Sequence, residues 1–269
     1  MVHFRVAALS DTGPVREINE DSAIAGPRLL GVADGVGGAA AGELASATTA
    51  CVLDARAQAH PGLAPDRLLR TAIAEAQRML ATAVRADASR AGMATTLTAI
   101  LTDGEHTAIA QVGDSRAYLL RDGRLAPLTR DQTMVQSLVD AGRMTPEEAA
   151  TSPYRHVVLQ AVDGEHPSDP VVTSLDLHPG DRLLLCSDGL TDVLSPAALQ
   201  MVMGLESRAT VAERLVRGAL DAGTRDNVTV VVADVVDGPP APGRGAQVGA
   251  VVDPANIIAP APYLGLRTA

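Results

Sequence analysis

Four aspartates stand where strand-like runs end or begin. Asp34, Asp114 and Asp188 each follow an apolar run directly or after one residue, and Asp226 comes just before another such run. In an antiparallel sheet the end of one strand lies beside the start of its neighbour, so these carboxylates can gather at one edge. Grouped carboxylates repel one another and take up protons unless cations hold them. A set of oxygen ligands without Cys or His indicates Mg²⁺ or Mn²⁺ rather than structural zinc.

An Asp-Gly pair on its own is more simply interpreted as a turn. That interpretation is adequate for Asp163-Gly164 and Asp237-Gly238. It is weaker for Asp34 and Asp188, because neither is followed by a returning strand. The residues after Asp34, GVGGAAAGE, form a glycine-rich turn leading into a helical pattern, where backbone carbonyls can also approach a metal. Their spacing does not match the Gly-x-Gly-x-x-Gly dinucleotide motif, and the sequence contains no EF-hand loop.

The composition excludes several classes of protein. The 22 basic and 32 acidic residues leave a net charge of −10, and every basic residue is Arg. Without Lys there is no P-loop lysine and no Schiff-base chemistry. An acidic, Trp-free chain with 1% aromatic residues lacks the basic patches and stacking platforms of nucleic-acid binders, so we expect no nucleic-acid partner.

The sequence also bears on location. Cys51 and Cys186 lie among apolar or small residues and suggest no disulfide framework, which indicates a reducing cytoplasm. Neither a signal peptide nor a run of 18 apolar residues is present, so we expect no membrane partner for this chain.

Hydrophobic periodicity places the elements that must position the aspartates. Strand-like runs lie at Phe4–Leu9, Leu29–Ala33, Thr95–Leu101, Thr107–Val112, Arg116–Leu120, Val171–Leu175, Arg182–Ser187 and Asn227–Val236. Helical patterns cover Ala39–Gln58, Pro65–Arg85, Met134–Ala141, Thr145–Ala150, Pro196–Met203 and Thr210–Asp221. Asp103-Gly104 and Asp122-Gly123 are typical of tight hairpins. One helix pair early and another late predict an α+β fold, with antiparallel sheets in the middle and helices on both faces.

We predict one globular domain over residues 1–236. Residues 237–269 are rich in Pro, Gly and Ala and carry few charges. Such a composition cannot bury enough apolar surface to offset the ordering of the chain, so we expect a disordered tail there.

The motifs together resemble a known family. They are Ser10-Asp11-Thr12-Gly13, Arg16-Glu17-Ile18-Asn19-Glu20-Asp21, Ala33-Asp34-Gly35-Val36-Gly37-Gly38, Thr95-Thr96-Leu97, Gly113-Asp114-Ser115-Arg116, Ser187-Asp188-Gly189-Leu190 and Asp226-Asn227-Val228-Thr229. In this order they resemble the metal-dependent PP2C/PPM protein serine/threonine phosphatases of bacteria, in particular those that accompany actinobacterial Hanks-type kinases. The resemblance spans residues 4 to 236 and implies a four-layer α-β-β-α sandwich.

The resemblance implies roles for the acidic residues. Asp34 would bridge two tightly bound Mn²⁺ or Mg²⁺ ions, with Asp188 and Asp226 completing one and the Gly35 carbonyl the other. Asp114 would share a third, weaker ion with Asp188. Glu20 and Asp21 would lie behind the metals and hold their water ligands.

Arg16 is the phosphate-binding residue that the resemblance implies. An acidic protein with clustered carboxylates repels phosphate, and a planar guanidinium is the group suited to hold it. A lone Arg is more often a solvated charge, but the spacing to Glu20 and Asp21 favours the site. Val36 and Ala39 replace histidines of other members, so neither residue can protonate the leaving group.

The segment of about residues 130–167 corresponds to the flap over the substrate site. It departs from the pattern of the family at His156 and Gln160. His156 is therefore a candidate for the flap or for the third-ion site.

These observations predict hydrolysis of phosphoserine and phosphothreonine in proteins by a metal-activated water, in opposition to a Ser/Thr kinase. The partners implied are phosphoproteins and that kinase. A catalytically silent regulatory module and a hydrolase of small phosphomonoesters stay as alternatives.

Overall fold

The computed structural model describes residues 1–36, 41–205, 207–240 and 245–258. The strands are β1 (Val2–Asp11), β2 (Ser22–Ala25), β3 (Leu29–Ala33), β4 (Gly35–Val36), β5 (Ala94–Thr95), β6 (Leu97–Thr102), β7 (Thr107–Val112), β8 (Arg116–Arg121), β9 (Arg124–Pro127), β10 (Val162–Asp163), β11 (Val171–Leu175), β12 (Arg182–Cys186), β13 (Val228–Asp237) and β14 (Ala246–Gly249). The helices are α1 (Gly42–Ala59), α2 (Pro65–Ala86), α3 (Met134–Asp140), α4 (Pro146–Thr151), α5 (Asp188–Thr191), α6 (Pro196–Met203) and α7 (Arg208–Asp221). Short 3₁₀ turns lie at Ala88–Arg90, Ala250–Val252 and Pro254–Asn256.

Two antiparallel sheets lie at the centre of the described chain. One has five strands in the order β1-β13-β12-β8-β9, and the other has six in the order β11-β7-β6-β3-β2-β14. A third, small sheet joins β10, β5 and β4 near the aspartates. Every strand pair is antiparallel, as the hairpin signals predict.

Three apolar clusters show how the layers pack. The first lies between the six-stranded sheet and the pair α1 and α2, and it includes the buried side chains of Leu53 and Leu101. The second fills the space between the two large sheets. The third joins the five-stranded sheet to α5, α6 and α7. The predicted α+β fold, a four-layer α-β-β-α sandwich, is therefore confirmed.

Local signals placed the two hairpins correctly. Asp103-Gly104 joins β6 to β7, and Asp122-Gly123 joins β8 to β9. Asp122 and Gly123 have φ values of 51° and 76°, the left-handed backbone that a two-residue hairpin turn needs. The predicted helix Ala39–Gln58 begins at Gly42, and residues 37–40 lie outside the described part of the chain.

The prediction of a disordered tail from residue 237 is wrong for residues 245–258. Asp237 still belongs to β13, and β14 pairs with β2 at the edge of the six-stranded sheet. The two residues that follow, Ala250 and Val251, are buried beside α1. Pairing of β14 with an existing sheet edge and burial of two apolar side chains supply the stabilising free energy that offsets the ordering of this segment. Residues 259–269 lie outside the described chain.

No helix in the described ranges has the length and apolar character needed to cross a lipid bilayer.

Candidate metal centre

The four strand-end aspartates meet at one edge of the sandwich. They line an open cleft of about 580 Å³. Eight of the nine predicted site residues line it, namely Arg16, Glu20, Asp34, Gly35, Asp114, His156, Asp188 and Asp226. The ninth, Asp21, is 1% exposed and lies beneath the cleft floor. The structure thus brings together residues that are up to 210 positions apart in the chain.

The backbone of Asp34 is fixed by the neighbouring strand. Its N–H donates to Thr96 Oγ1 at 3.1 Å, and its carbonyl accepts from the Thr96 N–H at 2.8 Å. The Thr95 hydroxyl donates to the same carbonyl at 2.9 Å. The side chain of Asp34 therefore has a fixed starting point at the cleft floor, which a bridging ligand needs.

Gly35 is a glycine because the backbone around it is crowded. A Cβ at this position would lie 2.6 Å from the backbone of Gly42 and 2.7 Å from the carbonyl oxygen of Glu20. The Gly35 N–H donates to that same Glu20 carbonyl at 3.2 Å. This close approach places the Gly35 backbone at the cleft, where its carbonyl can serve as an oxygen ligand.

Asp188 and Asp226 are brought together by a second glycine. A Cβ on Gly189 would lie 2.0 Å from the carbonyl oxygen of Asn227, so only glycine allows α5 to approach β13 this closely. Asn227 then organises the loop before β2: its amide donates to the carbonyls of Thr12 and Ile18 at 2.8 and 3.1 Å. Its side-chain oxygen accepts from the Glu20 N–H at 2.8 Å.

Burial and neighbouring carboxylates raise the pKa of Asp34 and of Asp114. The pKa of Asp34 lies well above its usual range because the group is desolvated and faces Asp21, Asp188 and Asp114. Burial, with the charge of Asp188 beside it, raises the pKa of Asp114 to about 7. Metal-free, this edge therefore holds protons that a divalent cation would displace. Oxygen donors that repel one another in this way fit Mn²⁺ or Mg²⁺.

Asp21 is buried close enough to Asp34 for its charge to act on it. Burial raises the pKa of Asp21 to about 7, although hydrogen bonds from Ser187 and Thr229 act in the opposite direction. The Ser187 hydroxyl donates to Asp21 Oδ2 at 2.7 Å. The Glu20 carboxylate, in contrast, reaches the cleft, and burial raises its pKa despite the nearby Arg16. The two acidic neighbours thus face different sides of the same loop.

Arg16 is paired with a carboxylate in this structure. Its Nη2 donates to Asp226 Oδ2 at 2.7 Å, and its Nη1 lies 3.5 Å from Glu20 Oε2. Burial lowers the pKa of Arg16, but the hydrogen bond and charge of Asp226 outweigh that effect and raise it. The Arg16 side chain is 41% exposed, so it is an accessible cation beside the acidic residues of the cleft, which Arg155 and Arg225 also line. Sequence analysis did not predict its contact with Asp226.

His156 reaches the cleft from the loop after α4. Its Nδ1 lies 3.6 Å from Asp188 Oδ2, and its Nε2 lies 3.5 Å from Asp192 Oδ2. One ligand atom from each of these residues lies within 4.8 Å of the others. The hydrogen bond that the imidazole donates to Asp188, followed by the charge of Asp192, raises the pKa of His156 against the effect of burial.

Asp192 is a site residue that sequence analysis missed. It caps α5, and its N–H donates to the Asp188 carbonyl at 2.8 Å. The spacing of four residues from Asp188 was the available signal, because residues four apart share one face of a helix. Arg155 and Val158, from the predicted flap segment, also line the cleft.

A family profile covers most of the chain. The profile described as Protein phosphatase 2C matches residues 19–220. The chain belongs to the protein phosphatase 2C family. Among curated members, it is 47% identical over 234 residues to the serine/threonine protein phosphatase PstP of Mycobacterium tuberculosis, covering 87% of this chain and 45% of PstP. The chain thus spans less than half the length of that relative.

A shorter family member is matched almost completely. The chain is 31% identical over 237 residues to the serine/threonine phosphatase stp of Listeria monocytogenes, covering 84% of this chain and 93% of stp.

Solved protein phosphatase 2C structures share the fold. The crystal structure of M. tuberculosis PstP/Ppp superposes with a TM-score of 0.84 at 45% identity, covering 87% of this chain and all of the other. The PstP catalytic domain in complex with two manganese ions has a TM-score of 0.82 at 45% identity, covering 88% of this chain and all of the other. The predicted membership of the PP2C family and the predicted sandwich are confirmed.

Proposed function

We propose that this chain hydrolyses phosphoserine and phosphothreonine in proteins with the help of two divalent cations, Mn²⁺ or Mg²⁺. The observation that carries the proposal is the convergence of Asp34, Asp188 and Asp226 with the cationic Arg16 in one open cleft. Relatives named serine/threonine phosphatases support the activity, and the two manganese ions of the PstP catalytic domain support the metals.

The cations would be held by Asp34, Asp188, Asp226 and the Gly35 carbonyl. All four donors are oxygens, and the raised pKa of Asp34 shows that its negative charge needs compensation. The chemistry that two such cations supply when bound is a water of lowered pKa aligned for in-line attack on phosphorus. Asp21 would act on Asp34 through its charge and through water ligands of the cations, and Ser187 holds the Asp21 carboxylate in place.

Arg16 would bind the phosphoryl group. Its two terminal nitrogens already satisfy two carboxylates, Asp226 and Glu20, in a fork geometry that equally suits two phosphoryl oxygens. Cations on Asp226 would free the guanidinium for the substrate. Phosphate binding by Arg16 and metal binding by Asp226 are therefore coupled in this proposal.

The leaving alkoxide needs a proton that Val36 cannot supply, although Val36 lines the cleft. We propose that Asp114 and Asp188 together hold a third, weaker ion. His156 and Asp192 would lie beside that ion. Asp114 is 7% exposed and also lines the cleft. Its role in this proposal is to position the group that protonates the alkoxide.

The physiological setting is part of the proposal. We place the enzyme in the cytoplasm, in opposition to a Ser/Thr kinase. Cys186, buried with 0% exposure in the cluster between the five-stranded sheet and its helices, is the type of thiol that a reducing compartment preserves.

A phosphate-release assay tests the proposal. With a phosphothreonine peptide we expect no activity in EDTA and restored activity with Mn²⁺ or Mg²⁺. Asp34→Asn should lose turnover and Mn²⁺ affinity, whereas Asp66→Asn, an exposed aspartate on α2, should behave as the wild type. Full activity in a verified metal-free sample would overturn the metal mechanism. Hydrolysis of p-nitrophenyl phosphate without hydrolysis of the peptide would favour a small-ester hydrolase, and no hydrolysis of either would favour a silent module.

A further inference from the structure

Residues 245–258 form a segment that we name the C-terminal clasp. Its strand β14 covers β2, which would otherwise be the edge of the six-stranded sheet, with Gly249 opposite Ser22 and Ala246 opposite Ala25. The family profile ends at residue 220, and the motifs of the family end at Thr229, so the clasp lies beyond both. None of the proposed catalytic groups belongs to it.

The clasp contacts the backbone of Asp21 directly. The Ala250 N–H donates to the Asp21 carbonyl at 2.7 Å. Gly249, with a φ of 81°, turns the chain immediately before this contact, and a Cβ there would lie 2.2 Å from the Asp21 carbonyl oxygen. A glycine is therefore required for the clasp to press against Asp21.

The clasp also binds α1 at several points. Val251 is 1% exposed and belongs to the apolar cluster beneath α1. The Ile258 N–H donates to Thr48 Oγ1 at 2.9 Å, and Gln247 Nε2 donates to Asp54 Oδ2 at 3.2 Å. Three separate contacts along 12 residues, counted from Gln247 to Ile258, fix the segment against the helix.

Helix α1 reaches the same loop from its other side. The Ser46 hydroxyl donates to the Glu20 carbonyl at 2.5 Å and lies 3.0 Å from the Ser22 hydroxyl. The Glu20–Asp21 peptide is therefore held between α1 and the clasp, while Asn227 and Ser187 hold it from the five-stranded sheet. Removal of the clasp would leave the Asp21 carbonyl without its hydrogen bond and β2 without its outer partner.

We propose that the clasp is a positioning element of the metal centre: Ala250 and Val251 hold the Asp21 backbone, so that the Asp21 carboxylate supports Asp34. This inference rests on the proposed function, because Asp34 matters as a metal ligand. Groups behind metal ligands typically change metal affinity or activity by about 10- to 100-fold when they are lost. The clasp would set the strength of the metal centre from outside residues 1–236, the predicted phosphatase domain.

Two matched pairs of variants in the full chain test the inference. Ala250→Pro removes the N–H from which Asp21 accepts and puts the proline Cδ against the Asp21 carbonyl oxygen, so that the contact is lost, whereas Ala250→Gly keeps that N–H. Val251→Asp undocks the clasp from the core, and Val252→Asp places the same charge on a neighbour that is 61% exposed. Each variant is first shown to be folded by far-UV circular dichroism at the assay temperature.

The measurements are Mn²⁺ affinity by calorimetry and kcat with a phosphothreonine peptide. We expect Ala250→Pro and Val251→Asp to weaken Mn²⁺ binding by about tenfold and to lower kcat, with Ala250→Gly and Val252→Asp close to wild type. A clasp that only adds stability would lower the melting temperature and leave Mn²⁺ affinity unchanged, and that result would overturn the inference. If Val251→Asp does not fold, Ala250→Pro decides the question.

The two proposals fail in different ways. If the wild type binds Mn²⁺ but hydrolyses no phosphothreonine, the proposed function is wrong, and the Mn²⁺ affinities of the four variants still test the clasp. If the wild type is active and all four variants match it in both measurements, the clasp inference alone is wrong.

Discussion

Arg16 donates to Asp226 Oδ2 at 2.7 Å, so the residue that we assign to phosphate is held by a residue that we assign to metal. Both side chains are more than one third exposed, at 41% and 37%. An ion pair this exposed contributes only about 0–1 kcal/mol, and a cation on Asp226 can displace Arg16 at little cost. In the proposed mechanism the guanidinium leaves this contact and turns to the substrate.

Replacement of Arg16 tests its role. We expect Arg16→Ala to raise KM by about 10- to 100-fold, because a hydrogen-bonded charge contributes about 1.5–3 kcal/mol to binding. kcat should change less, since the guanidinium holds phosphate in the ground state and in the transition state alike. Steady-state kinetics with a phosphothreonine peptide measure both values.

The control for Arg16→Ala is Arg67→Ala on the exposed face of α2. It removes the same charge from the protein and should leave KM unchanged. An unchanged KM in Arg16→Ala would remove Arg16 from the phosphate site.

Asp114 allows a test of the third ion. The turn before it is held by Gln132, whose side-chain oxygen accepts from the Gly113 N–H at 2.7 Å. We expect Asp114→Ala to lower kcat by about tenfold while calorimetry still detects two tightly bound Mn²⁺ ions. Loss of tight binding would place Asp114 in the binuclear centre instead. Equal kcat values in wild type and variant at saturating Mn²⁺ would exclude a third ion from the reaction.

His156 should influence the choice of metal. Its imidazole lies between Asp188 and Asp192, and imidazole nitrogen suits Mn²⁺ better than Mg²⁺. We expect the wild type to prefer Mn²⁺ strongly, with a smaller Mn²⁺-to-Mg²⁺ ratio of kcat in His156→Asn. His166→Asn is the matched control, because His166 is 78% exposed and pairs with Asp163 instead. A ratio that does not change in His156→Asn would exclude the histidine from the third site.

The stability of the metal-free chain should depend on pH. Burial raises the pKa values of Asp21 and Asp114 to about 7 in the folded state, against about 3.9 for an unfolded Asp. Between these values the folded chain binds more protons than the unfolded chain, so its stability falls as the pH rises from about 4 to 7. In EDTA we expect the melting temperature to be lower at pH 8 than at pH 5.

Two comparisons check the origin of this pH dependence. Mn²⁺ should raise the melting temperature most at pH 8. At that pH the carboxylates have lost their protons, and the cation compensates their negative charge instead. Asp114→Asn cannot ionise and should have a shallower slope in EDTA than the wild type or Asp66→Asn. A slope that Asp114→Asn leaves intact would show that other groups cause the pH dependence.

Much of the architecture was predictable because the relevant signals are local. Strands such as β7 and β12 are short apolar runs, and the left-handed turn at Asp122-Gly123 depends only on its own residues. The capping box at Thr145 and Glu148 is local too, and it begins α4 as predicted. Asp34, Asp114 and Asp188 could be grouped from the sequence, since an antiparallel sheet brings alternate strand ends to one edge.

The short elements were harder to predict, because their own residues carry little information. β2 has four residues, all buried, and its place depends on β3 at one side and β14 at the other. β14 lies in a Pro- and Gly-rich region and exists because β2 offers an unpaired edge. The pattern of four residues cannot predict with which neighbouring strand they will pair.

The sequence contains the groups on which the proposed chemistry depends, namely the carboxylates at strand ends that we propose as metal ligands and the Arg16 guanidinium that we propose as the phosphate-binding charge. The fold alone sets how these groups affect one another. The Arg16–Asp226 pair joins residues 210 positions apart. The burial that raises the pKa of Asp21 depends on the elements packed around it, and so does the Ala250 hydrogen bond to its carbonyl. Desolvation and charge coupling depend on distances in space, which local sequence patterns do not encode.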